Sequence, residues 1–323
     1  SVARSWILGP THPPTLAVLG WQMLLDADPN QRAMGLVVAL LLVGLLVCFS
    51  GALLLLPKLF GWGITRGKRW NWRRVPGAEL LGVLVWLHLV LIALLGLWSV
   101  AFTWFYPSLL PSSWSFKAWM DLSGSAFLHS LTLGFASTSL SLVLVVLLLE
   151  QGRRLSLGWL LLPLFVPVLP LVVGQYQLLQ AFEIGPSWIA VFWSHLVFVI
   201  PYTFLMMQSA YHRLDADLLL TARTLGLGQW GLLWRVKVPL MIKPIFASLA
   251  LGFTVSLAQY LPTQFMGAGR IETLTTETLS LFSGGDKRML GAQASLLLIQ
   301  AIVVYMLAVR MPTWLYRNRK GLV

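Results

Sequence analysis

Apolar positions along this chain come in long unbroken runs, without the alternation of a half-buried strand or the striped pattern of a surface helix. Seven runs stand out: Ala33–Pro57, Leu80–Phe105, Ala126–Leu149, Leu155–Phe182, Ser187–Ala210, Pro244–Gly269 and Met289–Val309. None contains Asp, Glu, Lys or Arg. Each is long enough to cross a hydrocarbon layer, which asks for roughly 20 apolar residues. A charge at the middle of such a helix costs about 2.5–3.5 kcal/mol on insertion scales. The pattern therefore predicts an all-α polytopic membrane protein of about seven transmembrane helices.

Composition agrees. Hydrophobic residues make up 58% of the 323 and charged residues only 11%, against about 25% charged in a soluble domain. The net charge of +12 changes the picture only through its placement. Lys58, Arg66, Lys68, Arg69, Arg73 and Arg74 crowd one loop without an acid. Bases gather again at Arg153 and Arg154, at Arg213, Arg223, Arg235 and Lys237, and at Arg310, Arg317, Arg319 and Lys320. The loops between these are poor in bases or balance them with acids, so positive charge alternates loop by loop and sets an orientation with the C-terminus cytoplasmic. The charge is accounted for by topology, and no nucleic-acid partner is expected. Cys48 is the single cysteine and lies inside an apolar run, which leaves no disulfide framework.

An internal repeat suggests how the chain is organised. PTLAVLGWQMLLDADPNQRAMGLVVALLLV (Pro14–Val43) is similar to ETLTTETLSLFSGGDKRMLGAQASLLLIQA (Glu272–Ala301). In both, Thr-Leu opens an amphipathic stretch, Asp and then Arg mark a polar turn, and a long apolar run follows. Residues 1–58 then read as the outer loop and last helix of a first unit. Residues 59–78 read as a basic cytoplasmic linker, and 79–323 as a second, complete six-helix unit in the same orientation. The third span of that unit holds Pro163, Pro167 and Pro170, and the fourth holds Pro201. These are expected kinks, which membrane helices tolerate where they line a cavity or pack on a neighbour.

One stretch is out of keeping with the spans on either side. LLLTARTLGLGQWGLLWRVKVPL (Leu218–Leu240) is too basic and too broken by glycine to cross a bilayer. Asp215 suits an N-cap and Asp217 the first turn. Leu218, Ala222 and Leu225 then form one apolar face. Gly226 stands at the C′ position, and a second short helix is expected over Gln229–Val236, ended by Pro239. The physics alone leaves two roles open: an interfacial helix on lipid headgroups, or an apolar ridge that docks in a groove of a soluble partner.

This loop resembles that of type I ABC importer permeases, the binding-protein-dependent inner-membrane components. Their Glu-Ala-Ala, three residues, Gly, then Leu-Pro pattern falls on Leu220, Thr221, Ala222, Gly226 and Pro239. Ala, Gly and Pro match, while Leu220 stands in place of the signature glutamate and Thr221 in place of the first alanine. The likeness extends over 79–323, and 1–58 resembles the end of the same unit, a layout similar to the fused double permeases of ferric-iron and thiamine-like importers. The resemblance implies a bacterial inner-membrane permease subunit without an ATPase of its own. A periplasmic binding protein would deliver a small solute, and ATP and magnesium would sit on cytoplasmic ATPase subunits. Within the loop 212–240, Leu218, Leu219, Leu220, Thr221, Ala222, Leu225, Gly226 and Pro239 would form the coupling element. Ser256, Gln259, Tyr260 and Thr263 would line the solute path, with Ser256, Gln259 and Thr263 on one helical face.

Enzyme readings find little support. GITRGKRW (Gly63–Trp70) is one residue short of a phosphate-binding loop, and Arg69 takes the place of its hydroxyl residue. His88, His129 and His195 have no partner at metal-ligand spacing, so packing or polar contact between helices is their expected role. Glu150 and Glu183 read as boundary residues at span ends. A secondary transporter would share the broken helices but usually carries charges in its spans. A lipid-modifying enzyme would need a catalytic cluster, and no such cluster is evident.

Overall fold

A computed structural model of the chain describes residues 14–26, 28–59, 77–105, 108–151 and 157–317. Most of the basic linker 59–78, with the Gly63–Trp70 stretch, lies outside the described residues, as do Arg153, Arg154, Arg319 and Lys320. The helices are α1 (Leu16–Leu24), α2 (Pro29–Leu59), α3 (Gly77–Val100), α4 (Lys117–Met120), α5 (Gly124–Gln151), α6 (Leu157–Phe165) and α7 (Val168–Ala181). They continue with α8 (Trp188–Tyr211), α9 (Ala216–Thr224), α10 (Gln229–Leu232), α11 (Val238–Leu240), α12 (Ile242–Leu257), α13 (Leu261–Gly267), α14 (Leu274–Gly284) and α15 (Lys287–Leu315). Among the described residues, 5 of these are long and apolar enough to span alone: α2, α3, α5, α8 and α15. Counting the bent pairs α6–α7 and α10/α11–α12 as one span each brings the number to 7. The chain is a multi-pass, all-α membrane protein.

Three expected spans differ in detail. The run at Leu80–Phe105 stays helical only to Val100, because Ala101–Thr103 pairs as a short antiparallel ribbon with Ser113–Trp114. The run at Leu155–Phe182 breaks at Val166 and Pro167, where the ring removes a backbone donor and disfavours helix in the residue before it. Pro163 is carried inside α6, Pro170 falls in the first turn of α7, and α8 runs on through Pro201. The run at Pro244–Gly269 ends as a helix at Leu257 and restarts at Leu261 with Pro262 in its first turn. Proline fits that position because the first helical N–H groups have no intrahelical partner.

The chain divides into two compact units, one of residues 1–122, 166–174 and 284–295, the other of 123–165, 175–283 and 296–323. In the first, α1 packs tightly on α2: a Cβ on Gly35 would lie 2.9 Å from the backbone nitrogen of Leu24. The similar stretches of the internal repeat also fold alike. Each gives a short helix starting at the Leu of Thr-Leu, then a long span whose first turn is capped by aspartate. Asp28 accepts from the Asn30 N–H at 2.9 Å, and Asp286 from those of Arg288 and Met289 at 3.0 and 3.1 Å.

The core of the second unit is α5, α8 and α12, joined through small residues. Thr138 covers Gly252 and Phe253 covers Gly134, so that a Cβ at either glycine would meet its neighbour at 2.5 or 2.6 Å. Ser137, Thr138 and Ser141 are buried, and the first two turn their hydroxyls onto carbonyls of their own helix. Small side chains allow the close approach on which helix association in lipid depends.

Candidate functional site

The loop between α8 and α12 is built from its caps. Asp215 accepts from the Asp217 N–H at 2.9 Å and so starts α9. At the other end Gly226 takes φ +86°, the left-handed conformation that glycine adopts without a Cβ penalty. Its N–H donates to the Arg223 carbonyl at 2.9 Å, and that of Leu227 to the Ala222 carbonyl at 3.2 Å. This pair of bonds closes the helix as a Schellman motif. Of the expected coupling face, only Ala222 is buried. Leu218, Leu220 and Leu225 are exposed, Leu225 by 79%, and Thr221 is exposed while Leu219 is half-buried. The apolar ridge points away from the chain's own core.

The second half of the loop departs from expectation. Instead of one helix over Gln229–Val236 ended by Pro239, α10 gives way to a π turn over Leu233–Lys237 and then to α11, which contains Pro239. A proline cannot donate to the carbonyl four residues back, and its ring presses on it. The wider turn just before it relieves that conflict. It also rotates Lys237. In an unbroken α-helix, residues two turns apart nearly eclipse, which would set Lys237 above the exposed Trp230. Inserting a π turn moves it toward the buried side with Leu233.

There Lys237 meets Glu150, which is neither exposed nor a simple span boundary. Lys237 Nζ donates to Glu150 Oε1 at 2.7 Å, with side chains only 6% and 9% exposed. Tyr211, the last residue of α8, donates its hydroxyl to the same oxygen at 2.7 Å and accepts from Lys237. Below this group Val145, Phe204, Met207 and Met241 form an apolar cluster with Leu142, Leu149, Leu214 and Ile245 around it. The carboxylate and the ammonium satisfy one another at the edge of a dry core, the condition under which buried charge is tolerated.

At the break between α12 and α13 a second polar group forms. His195 of α8, 2% exposed, bridges Ser256 at the end of α12 (Nδ1 to Oγ, 2.7 Å) and Thr263 of α13 (Nε2 to Oγ1, 2.9 Å). Thr263 gives its only proton to the Gln259 carbonyl at 2.7 Å. In the neutral ring, Nε2–H therefore donates to Thr263 and Nδ1 accepts from Ser256. Ser256 and Thr263 are brought together through His195 rather than along one helical face. Gln259 and Tyr260 lie half-buried in the break itself. Nearby on α7 and α8, Ser194 donates to Gln175 at 2.6 Å, and the amide nitrogen of Gln175 is buried without a hydrogen-bond partner.

The family of binding-protein-dependent transport system inner membrane components matches residues 148–318, which contain the loop, the ion pair and the His195 group. The chain belongs to this family. Among relatives of the permease family, the inner membrane ABC transporter permease protein YnjC of Escherichia coli K12 is 36% identical over 98% of this chain. The chain spans 59% of that relative's length. A putative 2-aminoethylphosphonate transport system permease protein, PhnV of Salmonella choleraesuis, is 28% identical over 64% of this chain and 83% of its own. The spermidine/putrescine transport system permease protein PotC of Haemophilus influenzae is 22% identical over 57% and 74%.

Proposed function

We propose that the chain is a permease subunit of an ATP-binding-cassette importer in a bacterial inner membrane, with its C-terminus in the cytoplasm. It forms part of a solute path and couples to separate cytoplasmic ATPase subunits through residues 212–240. The observation that carries this reading is the loop itself, within the family's matched region. A capped helix presents Leu218, Leu220 and Leu225 outward while its return segment is fixed to the spans by Lys237 and Glu150. An exposed ridge on a fixed base is what a groove on a partner can grip.

A periplasmic binding protein would deliver a small solute, and ATP-driven closure of the ATPase subunits would draw the coupling segments together and turn the path outward. The loop must bind its partner differently in the two states, since equal affinity shifts nothing. The path residues are Ser256, Gln259, Tyr260 and Thr263, joined now by His195. We further read residues 1–58 as the end of a first permease unit and 79–323 as a second, the fused layout of ferric-iron and thiamine-like importers. In support, the segments after Thr15 and Thr273 fold alike. The test is purification of the full chain from its native membrane, wild type beside Gly226→Val, with assay of the ATPase that accompanies it. An ATPase is expected with wild type and a deregulated one with the variant. No ATPase with either would overturn the reading.

A further inference from the structure

The loop's two halves are held very differently. Helix α9 buries only Ala222, so little fixes its ridge directly to the spans. The return segment buries Leu232, Leu233, Lys237 and Met241. The ion pair reaches from the π turn to the end of α5, and Tyr211 ties the same group to the end of α8. Lys237 thus sits where three elements meet, and the π turn is what aims it there. A cavity of about 110 Å³ beside the group is lined by Glu150, Gln151, Gln229, Trp230, Leu147 and Leu233. The joint is therefore partly hollow on the loop side and depends on its polar contacts for a fixed geometry.

We propose that Glu150, Lys237 and Tyr211 form the joint that makes the 212–240 loop and the adjoining ends of α5 and α8 move as one body when a partner pulls on the loop. They are positioning residues, and the inference rests on the permease reading for its source of force. An apolar cluster alone would let the loop slide, because hydrophobic contact is non-directional. A buried pair fixes direction, since a small displacement separates charges in a poorly solvating environment.

The joint can be tested with the full-length chain purified with its ATPase and placed in nanodiscs. Nitroxides are attached at Thr224→Cys on the loop, off the docking ridge, and Val143→Cys on α5, both exposed positions, in a Cys48→Ser background. Electron–electron double resonance is recorded without nucleotide and with ATP and vanadate. Wild type is expected to show one narrow distance that nucleotide leaves unchanged. The Glu150→Gln/Lys237→Gln variant, which buries no unpaired charge, is expected to lose the narrow distance and to gain a nucleotide-dependent shift, with the ATPase still bound. The exchange Glu150→Lys/Lys237→Glu is expected to restore the narrow distance. The same narrow distance in the neutral double variant, or a wild-type pair that moves apart with nucleotide, would overturn the proposal. If the exchanged variant does not fold, the neutral one decides alone. Absence of the ATPase from the wild-type preparation would count against the permease reading, while the nucleotide-free distances would still decide the joint.

Discussion

Two polar groups in the same helical unit solve the problem of polarity among apolar spans in opposite ways. With its ring neutral, the His195 group is an open run of hydrogen bonds across α8, α12 and α13: Ser256 donates to the imidazole, the imidazole to Thr263, and Thr263 to the Gln259 carbonyl. The Glu150 group is a full ion pair with a phenol attached, set where the loop meets α5 and α8. Neutral hydrogen bonds between helices in lipid are weak and forgiving, about 0.6 kcal/mol on average. A buried ion pair stabilises little as a whole but penalises heavily the loss of one partner. The first arrangement suits a place where contacts must be remade as a path opens. The second suits a place where geometry must not change.

The comparison is broken most easily at the ion pair. Glu150→Gln strands the Lys237 ammonium and should cost about 3–5 kcal/mol, read as a fall in unfolding free energy in detergent. Glu150→Gln/Lys237→Gln should cost clearly less. Equal losses would show that charge imbalance is not what matters there. Next in size is Gly252→Ala, whose methyl would lie 2.5 Å from Thr138 Cγ2, an overpacking expected to cost about 1–3 kcal/mol. Thr138→Ser removes that methyl and should recover most of the loss in the double variant.

Gly226→Val meets no neighbouring atom but forces a branched residue to φ +86°, worth about 1–2 kcal/mol. Its stability change should be modest and its effect on solute-stimulated ATP hydrolysis large. A variant that hydrolyses ATP as wild type does would argue against the loop as coupling element. Smallest is Thr263→Val, which removes one side of the His195 bridge. It should lower stability by only about 0.6 kcal/mol, measured by the same unfolding assay. A loss as large as that of Glu150→Gln would erase the distinction drawn between the two groups.

The spans were legible because length and lack of charge are properties of composition, and bilayer thickness converts them directly into helices. The caps of α9 were legible for a similar reason: Asp215 and Gly226 act through their own backbone and need no tertiary partner. What the one-dimensional pattern hid was non-local. Lys237 reads as a surface base at helical spacing, and only the π turn ahead of Pro239 reveals that it points inward to a carboxylate on another helix. Glu150, at the end of its run, carried no signal of burial. The apolar run at Pro244–Gly269 gave no sign of its break beyond Pro262, and so the sharing of a face by Ser256, Gln259 and Thr263 was inferred across a helix that is not continuous. His195, singled out for packing or polar contact between helices, makes the polar contacts, since a polar side chain in the middle of a span needs partners.

The central claim is that residues 212–240 dock on an ATPase subunit, and photo-crosslinking in native membranes tests it most directly. A photoreactive amino acid is placed at Leu225 on the exposed ridge, and in a second sample at Ala268, the exposed residue that caps α13. The account predicts a covalent product between the chain and an ATPase subunit from position 225 and none from 268. Products with lipid alone from 225, or the ATPase captured from 268 instead, would contradict it.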